Sequence, residues 1–231
     1  MTLQNSMNWA GPLLKNNPQM TGNYEPGLTS ANIALQTVLG PPMKWPWNRK
    51  TYSFGVSTLG GNDYVQSVPD FGFVEKAWLT DGTGKTYPLQ GAVALGKDSS
   101  QNRPGIIAPQ YDDNSGNITF RIDFVPDANY TVFVDIQKAP VLITAPAAPW
   151  GNVPDRFAYI YDWGYLTILS LLVNDSRFPI YEQYFIARLL GAQDGLTDQE
   201  RSIFLGNWQG LMTTLARTQA NANAGNAGRA K

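Results

Sequence analysis

The sequence predicts an α+β protein in which the N- and C-terminal segments form one helical bundle, with an antiparallel β-sandwich or barrel-like module inserted between them. Apolar residues recur every three or four positions near both ends of the chain and alternate with polar residues in the middle. Each flanking helical part is too small to enclose a core of its own. We expect the bundle in residues 1–50 and 150–217, the β module in 51–149, and a flexible tail in 218–231.

The first helical part is divided by prolines and glycines. A short helix is predicted over residues 7–15, interrupted at Gly11-Pro12. The next helix is expected to begin at Thr29 or Ser30, whose side-chain oxygen can accept a hydrogen bond from a free backbone N–H. Gly40-Pro41-Pro42 ends it, because proline lacks an N–H and disfavours helix in the preceding residue.

The middle of the chain consists of short segments with period-two alternation. Residues 52–56, 118–124 and 130–136 each place apolar side chains on one face of a strand and polar ones on the other. Residues 81–84, 114–117 and 126–129 are rich in Gly, Asn and Asp, which favour turns. We therefore expect six to eight antiparallel strands.

The last third of the sequence is helical again. Helical spacing extends over residues 157–172 and about 180–190, where Gly191 provides a C-cap. A third helix opens with Thr197 and Glu200 in the capping-box spacing and carries Phe204, Trp208, Leu211 and Leu215 along one stripe. Beyond Arg217 the Ala/Asn/Gly-rich tail has too few apolar residues to pack alone, so we expect it to be disordered in isolation.

Composition excludes many functions. The 231 residues include no Cys and no His, which excludes disulfides, thiolate nucleophiles, Cys/His zinc sites and imidazole bases. Only 15% are charged and the formal net charge is -1, so the basic excess typical of nucleic-acid-binding proteins is missing. We expect a non-enzymatic protein without cofactor or metal, lacking a signal peptide and a membrane span.

Three patterns resemble chemical motifs but are better explained structurally. Gly84-Lys85-Thr86 ends like a phosphate-binding loop, yet the required first glycine is replaced by Leu79. Residues 112–116 resemble a calcium loop whose glycine comes one residue too early, and a turn is favoured. Paired carboxylates could hydrolyse glycosides, but we interpret Glu75, Asp123 and Asp135 as belonging to solvated strand faces.

The segment Trp45-Pro46-Trp47-Asn48-Arg49 joins the first helical part to the β module. Its rings could fill the seam between the two parts. They could instead anchor a protein interface, where Trp, Tyr and Arg dominate the binding energy, or stack on a sugar. The sequence alone leaves these three interpretations open.

Two segments resemble the head-to-tail adaptor (connector) proteins of tailed bacteriophages. One runs from Val38-Leu39-Gly40-Pro41-Pro42 into Lys44-Trp45-Pro46-Trp47-Asn48-Arg49, and the other is Asn152-Val153-Pro154-Asp155-Arg156-Phe157-Ala158-Tyr159. In those proteins an N-terminal helical part leads through a Trp-containing segment into a β region. The chain then re-enters the helical bundle at a step like the second segment.

The resemblance implies a structural virion protein at the head-tail junction, made in the host cytoplasm. Such adaptors form a ring, commonly of twelve copies, that binds the portal protein and the tail or nozzle proteins and contacts packaged DNA transiently. Their C-terminal segments typically become ordered on the portal. The residues we expect to contact the portal or a neighbouring subunit are Trp45, Trp47, Arg49, Trp208, Leu211, Leu215, Arg217, Arg229 and Lys231.

Two other functions are compatible with the sequence. The chain could be a different phage tail, baseplate or decoration protein whose β module meets other tail proteins. It could also be a carbohydrate-binding module that uses its seven Trp and eleven Tyr residues as a stacking platform.

Overall fold

The computed structural model describes residues 2–15, 24–112, 115–151, 153–193 and 195–227. It divides the chain into two compact units. The β unit is Asn48–Ala139, and the helical unit combines the described residues before and after it. The predicted α+β class with a barrel-like module is confirmed. Among the described residues, no helix is long and apolar enough to cross a membrane.

Five α-helices and nine strands are found in the described ranges. The helices are α1 (Leu3–Ala10), α2 (Gly27–Leu39), α3 (Ala158–Leu172), α4 (Phe178–Gly191) and α5 (Asp198–Ala227). The strands are β1 (Arg49–Val56), β2 (Asp63–Ser67), β3 (Phe71–Asp81), β4 (Thr86–Gly91), β5 (Gln101–Asn102), β6 (Ile106–Asp112), β7 (Asn117–Ile122), β8 (Val125–Pro126) and β9 (Tyr130–Lys138). Short 3₁₀ turns follow α1 and precede β1 and α3.

Helix α3 is the centre of the helical unit, and α1, α2, α4 and α5 all contact it. It is apolar around its whole circumference, and the seven consecutive residues from Gly164 to Ser170 are buried. Side chains from α2, including Leu35 and Val38, and from α4, including Phe185 and Leu189, belong to the same core. Segments that are far apart in the chain therefore share one hydrophobic core.

Two helices begin earlier than the sequence-based prediction. Helix α1 begins at Leu3, earlier than expected, and α2 begins at Gly27 without a side-chain cap at its first residue. Thr29 and Ser30 are therefore inside α2, where the Thr29 N–H donates to the Glu25 carboxylate (3.1 Å) and the Ser30 hydroxyl to the Pro26 carbonyl (2.8 Å). The predicted caps are wrong because Glu25, one turn earlier, satisfies the free N–H.

Helix α5 continues past Arg217, where the sequence predicted its end. It reaches Ala227, so residues 218–227 are helical, while residues 228–231 lie outside the described part. Alanine has the highest helix propensity and no proline interrupts this stretch, so the helix can propagate without an apolar stripe. At the other end, the predicted capping box of Thr197 and Glu200 is present, with N–H donation in both directions (2.9 and 3.2 Å).

The β unit is a nearly closed, barrel-like sheet of seven strands in the order β1-β9-β3-β4-β6-β7-β2. Alternate residues of β7 and β9 point inward, as the period-two pattern predicted, and they are buried: Ile118, Phe120, Ile122, Val132, Val134 and Ile136. The end strands β1 and β2 approach through the rings of Phe54 and Tyr64 (centroids 5.8 Å apart). Phe54 also stacks on Phe120 (5.7 Å), so one aromatic cluster bridges the seam.

The expectation of a purely antiparallel module is wrong at two places. Strands β4 and β6 pair in parallel through Gln90–Ile106 and Gly91–Ile107, and the short β5 and β8 also pair in parallel. The segment between β4 and β6 carries the chain back to the same end of the sheet, which a tight turn cannot do. The sequence could not predict the parallel pairing, because the alternation of apolar and polar residues is the same for parallel and antiparallel strands.

The turn at Asp81–Gly84 joins β3 to β4, as predicted, and it is not a phosphate-binding loop. The Asp81 carboxylate accepts hydrogen bonds from the backbone N–H groups of Thr83 (2.9 Å) and Lys85 (3.0 Å). Strand β4 follows immediately, where a phosphate-binding loop would need a helix. The turn predicted at residues 114–117 and the calcium-like segment 112–116 lie partly outside the described residues.

Acid is expected to weaken the β unit through Asp63. Its carboxylate accepts two hydrogen bonds from Arg121 (2.6 and 3.0 Å) and pairs with Lys97 (2.9 Å), which outweigh its desolvation and hold its pKa at about 2. Because the folded pKa lies below the unfolded value of about 3.9, this stabilisation is present above pH ~4 and is lost as the pH falls towards 2. In urea titrations, Asp63→Asn should reduce the fall in the free energy of unfolding that the wild type shows as the pH decreases towards 2. The exposed-site control Asp198→Asn should keep the wild-type slope.

Gly164 is expected to be essential to the packing of α3. A Cβ at this position would stand 2.9 Å from the Phe185 ring and 3.2 Å from the Ala34 side chain. Gly164→Ala should lower the free energy of unfolding by about 1–3 kcal/mol through overpacking, measured by urea denaturation. Gly206→Ala is the matched control in α5, where a Cβ has no atom within 4 Å, and it should raise stability by up to about 1 kcal/mol. Equal effects of the two substitutions would contradict this packing.

Candidate partner-binding surfaces

Trp45, which the sequence offered as an interface anchor, is inside the helical unit. It is 1% exposed, and its indole N–H donates to the Val38 carbonyl (2.7 Å). Its ring packs on Trp47 (5.4 Å) and Phe157 (5.3 Å), and the half-buried Trp47 stacks on the same phenylalanine (6.1 Å). These aromatic rings form a structural cluster, so Trp45 is not accessible to a partner.

Arg49 lies on the outer face of the β unit and is paired within it. Its guanidinium forms two hydrogen bonds with the Glu75 carboxylate, one of them from Nε at 2.8 Å. Burial raises the pKa of Glu75, but the hydrogen bonds from Arg49 and Gln137 outweigh that effect and lower it overall. Much of the hydrogen-bonding capacity of Arg49 is therefore used within its own unit.

The carboxylates that we expected on solvated strand faces are more enclosed than predicted. Asp135 is 3% exposed and accepts a hydrogen bond from the Thr51 hydroxyl (2.5 Å) while pairing with Lys76 (3.3 Å). Asp123 accepts the Gly105 N–H (3.0 Å). Neighbouring polar side chains on the outer face replace water around Asp135, which the alternation pattern could not reveal.

The residues predicted on α5 divide between packing and exposure. Trp208 is 3% exposed, donates its indole N–H to Glu182 of α4 (2.7 Å) and lies 5.2 Å from the Phe185 ring. Leu211 and Leu215 are half-buried against the same core. Arg217 is exposed, whereas Arg229 and Lys231 lie outside the described residues. The apolar stripe thus attaches the first half of α5 to its own unit.

An exposed aromatic surface, which sequence reasoning missed, occupies one side of the helical unit. Trp9 meets the edge of Trp163 (5.4 Å), and Trp163 packs on Tyr184 (5.0 Å). The Arg188 guanidinium lies 5.3 Å from the Trp163 ring and 5.7 Å from the Tyr159 ring. Trp9, Tyr159 and Tyr184 are 37, 40 and 50% exposed. We call Trp9, Tyr159, Trp163, Ile180, Tyr184 and Arg188 the aromatic surface.

The spacing of α4 explains how this surface arises. Tyr181, Phe185 and Leu189 recur every four residues and are buried. Ile180, Tyr184 and Arg188 precede them by one residue each, which turns them about 100° away from the core. The sequence signal for the aromatic surface was therefore a second stripe beside the core stripe. A periodicity analysis misses it because it assigns both stripes to one apolar face.

The outer face of α5 is a second exposed surface. Ile203 is 50% and Leu205 37% exposed, and they flank Gly206 and Gly210, beside which a Cβ would find open space. Farther along, the described side chains of residues 216–221 are all exposed. The end of α5 is therefore a helix with no described side chain packed on the core.

The described part of the helical unit includes a small surface groove. A groove between the end of α2 and α5 has a volume of about 160 Å³, below the range of about 300–1,000 Å³ typical of ligand sites. Its floor includes Phe204 and Trp208. Within the described ranges, no group of three acidic side chains is arranged to hold a metal ion.

No protein-family profile matches the chain, and no curated protein shows significant similarity to it. The candidate function is therefore argued from the two exposed surfaces of the helical unit and from the end of α5, whose described side chains beyond Leu215 are exposed. The aromatic surface in particular is suited to contact with other macromolecules, since exposed aromatic and arginine side chains concentrate binding energy at protein interfaces.

If the aromatic surface serves binding, it should contribute little to folding. Arg188→Ala and Tyr184→Ser should each lower the free energy of unfolding by no more than about 1 kcal/mol, because both side chains are exposed and are held only by ring contacts. Phe185→Ala, one residue from Tyr184 but fully buried, should cost about 3–5 kcal/mol. Urea denaturation followed by circular dichroism measures all three. A large loss in Arg188→Ala would make this surface structural.

Proposed function

We propose that this chain is a head-to-tail adaptor of a tailed bacteriophage, a structural virion protein without enzymatic activity. Its copies form a ring between the portal and the tail and line the channel through which DNA passes. In this proposal the N- and C-terminal helices form one bundle that carries the ring contacts. The end of α5 reaches the portal protein.

The observation that carries the proposal is the free end of α5. At 1.5 Å per residue, the 30-residue helix is about 45 Å long, yet among its described side chains the last one packed on the core is Leu215. A helical end of about 12 residues is marginally stable in water without packing. A protein partner that covers this end would supply the missing contacts, as expected of an element that docks on a neighbouring ring.

Charge and exposed aromatic groups support the same function. The formal net charge of -1 gives DNA no strong electrostatic hold, which suits a channel through which the genome must slide. The aromatic surface and the outer face of α5 give each copy two separate areas for contact with neighbours. Both properties favour an assembly component.

A different tail or decoration protein is the second candidate. It is favoured by two loop residues of the β unit, Leu59 and Val93, each 95% exposed. Aliphatic side chains at loop tips can insert into a partner surface. In an adaptor, the same residues would face the tail proteins.

Removing residues 218–231 should weaken portal binding without weakening the fold. The described side chains of this stretch are exposed, so the urea midpoint should stay within error of the wild type. Affinity for the portal protein encoded in the same genome should fall at least about tenfold, measured by mass photometry. The control Leu59→Ser changes an exposed side chain of the β unit and should bind the portal normally.

An unchanged affinity after the deletion would contradict docking through α5. A wild-type chain that neither self-associates nor binds the portal protein would contradict the adaptor function itself.

A further inference from the structure

The two exposed surfaces of the helical unit lie on opposite flanks of α4. Glu182 accepts a hydrogen bond from Trp208 of α5 (2.7 Å), which fixes the flank on which α5 packs. Tyr184, two residues later, is rotated by about 200° around the helix and belongs to the aromatic surface. One copy therefore presents its aromatic surface and its α5 in different directions.

We propose that the aromatic surface of one copy binds the outer face of α5 of a second copy, head to tail. This inference rests on the self-association contained in the proposed function and identifies the two surfaces that meet. It assigns Tyr159, Trp163, Tyr184 and Arg188 to one side of the contact. Asp198, Ile203 and Leu205 form the other side.

Charge complementarity selects a second copy as the occupant. The exposed Arg188 guanidinium contacts two aromatic rings, and no carboxylate within the described ranges pairs with it. Asp198, in the first turn of α5, is exposed and likewise has no cationic partner in the described part of the chain. One positive group on the aromatic surface thus matches one negative group that lies on the same side of α5 as Leu205, two turns earlier, and complementary charges set the register of an interface.

The two surfaces also differ in relief. The aromatic surface is a ridge of bulky rings, held in place by their mutual contacts at 5.0–5.4 Å. The outer face of α5 is low at Gly206 and Gly210, and Ile203 and Leu205 stand on either side of these glycines. Because no Cβ stands at these glycines, rings of a second copy can approach the α5 backbone closely there.

The contact is heterologous because its two sides are different surfaces of the same chain. After one contact forms, each copy still presents one unused surface, so association continues until a ring closes. A two-fold dimer would instead pair one surface with itself. Blocking one surface on one copy and the other surface on its neighbour should therefore stop assembly at two chains.

The test uses two full-length variants, Tyr184→Asp in the aromatic surface and Leu205→Asp on α5. Each variant alone should remain monomeric by mass photometry at concentrations at which the wild type assembles. An equimolar mixture should form a species with the mass of two chains and nothing larger, because one intact surface of each kind remains. The control Val141→Asp, at a position that is 79% exposed and outside both surfaces, should assemble like the wild type.

Charge exchange provides an independent measurement. Arg188→Asp and Asp198→Arg should each weaken self-association about tenfold or more, and the double variant should recover most of the loss. Circular dichroism and urea midpoints confirm that every variant is folded.

The outcomes separate this inference from the proposed function. Variants that still assemble like the wild type, or a mixture that stays monomeric, would overturn the surface pairing and leave the adaptor function standing if the chain binds the portal. A wild-type chain that remains monomeric with and without the portal would overturn both.

Discussion

The structure of the helical unit depends on the burial of α3. From Gly164 to Ser170 every residue is inaccessible to water, so apolar partners are needed on all sides of the helix. Helices α4 and α5 follow α3 in the chain and cover only part of it. The remaining cover comes from α1 and α2, which precede the β unit, and Asn32 ties them to the later segment by exchanging two hydrogen bonds with Ile143 (2.7 and 3.0 Å). The β unit is accordingly an insertion, and its first and last long strands, β1 and β9, pair side by side.

The same constraint explains why aromatic residues are exposed where they are. Ile160, Tyr161 and the stretch from Gly164 to Ser170 are buried, whereas Tyr159 and Trp163 of the same helix are only partly covered by their own unit. Trp163 lies on a side of α3 that is only partly covered, where Trp9, Tyr184 and Arg188 complete a partly solvated layer. If the only requirement were to bury α3 in a monomer, small polar side chains could occupy these partly solvated positions. Bulky rings at the edge extend the apolar layer outward and provide a surface that another chain can cover.

The sequence predicted the local features well and the long-range ones poorly. Alternation identified β1, β7 and β9, and the spacing of Thr197 and Glu200 located the start of α5, because these signals lie within a few residues. It could not separate Trp45, which is buried, from Tyr184, which is exposed, since both lie in apolar patterns. Nor could it find the partners of Glu75 and Asp135, which come from neighbouring strands, or the parallel pairing of β4 and β6. The aromatic surface likewise joins α1, α3 and α4, and only the packing of α3 brings those helices together.

The low charge of the chain makes apolar contacts, such as those of the aromatic surface, more important for binding. With 15% charged residues, the chain has few ion pairs with which to specify a partner, and the absence of Cys and His excludes disulfide and Cys/His metal links. Binding must then come from apolar contact, and part of its cost is the immobilisation of side chains at the interface. Trp9, Trp163 and Tyr184 are already held by one another, and Arg188 by two rings, so little further freedom is lost on docking. A rigid aromatic layer with a single cation can therefore bind specifically on a surface that is otherwise nearly uncharged, which is the physical requirement for many identical copies to meet in one register.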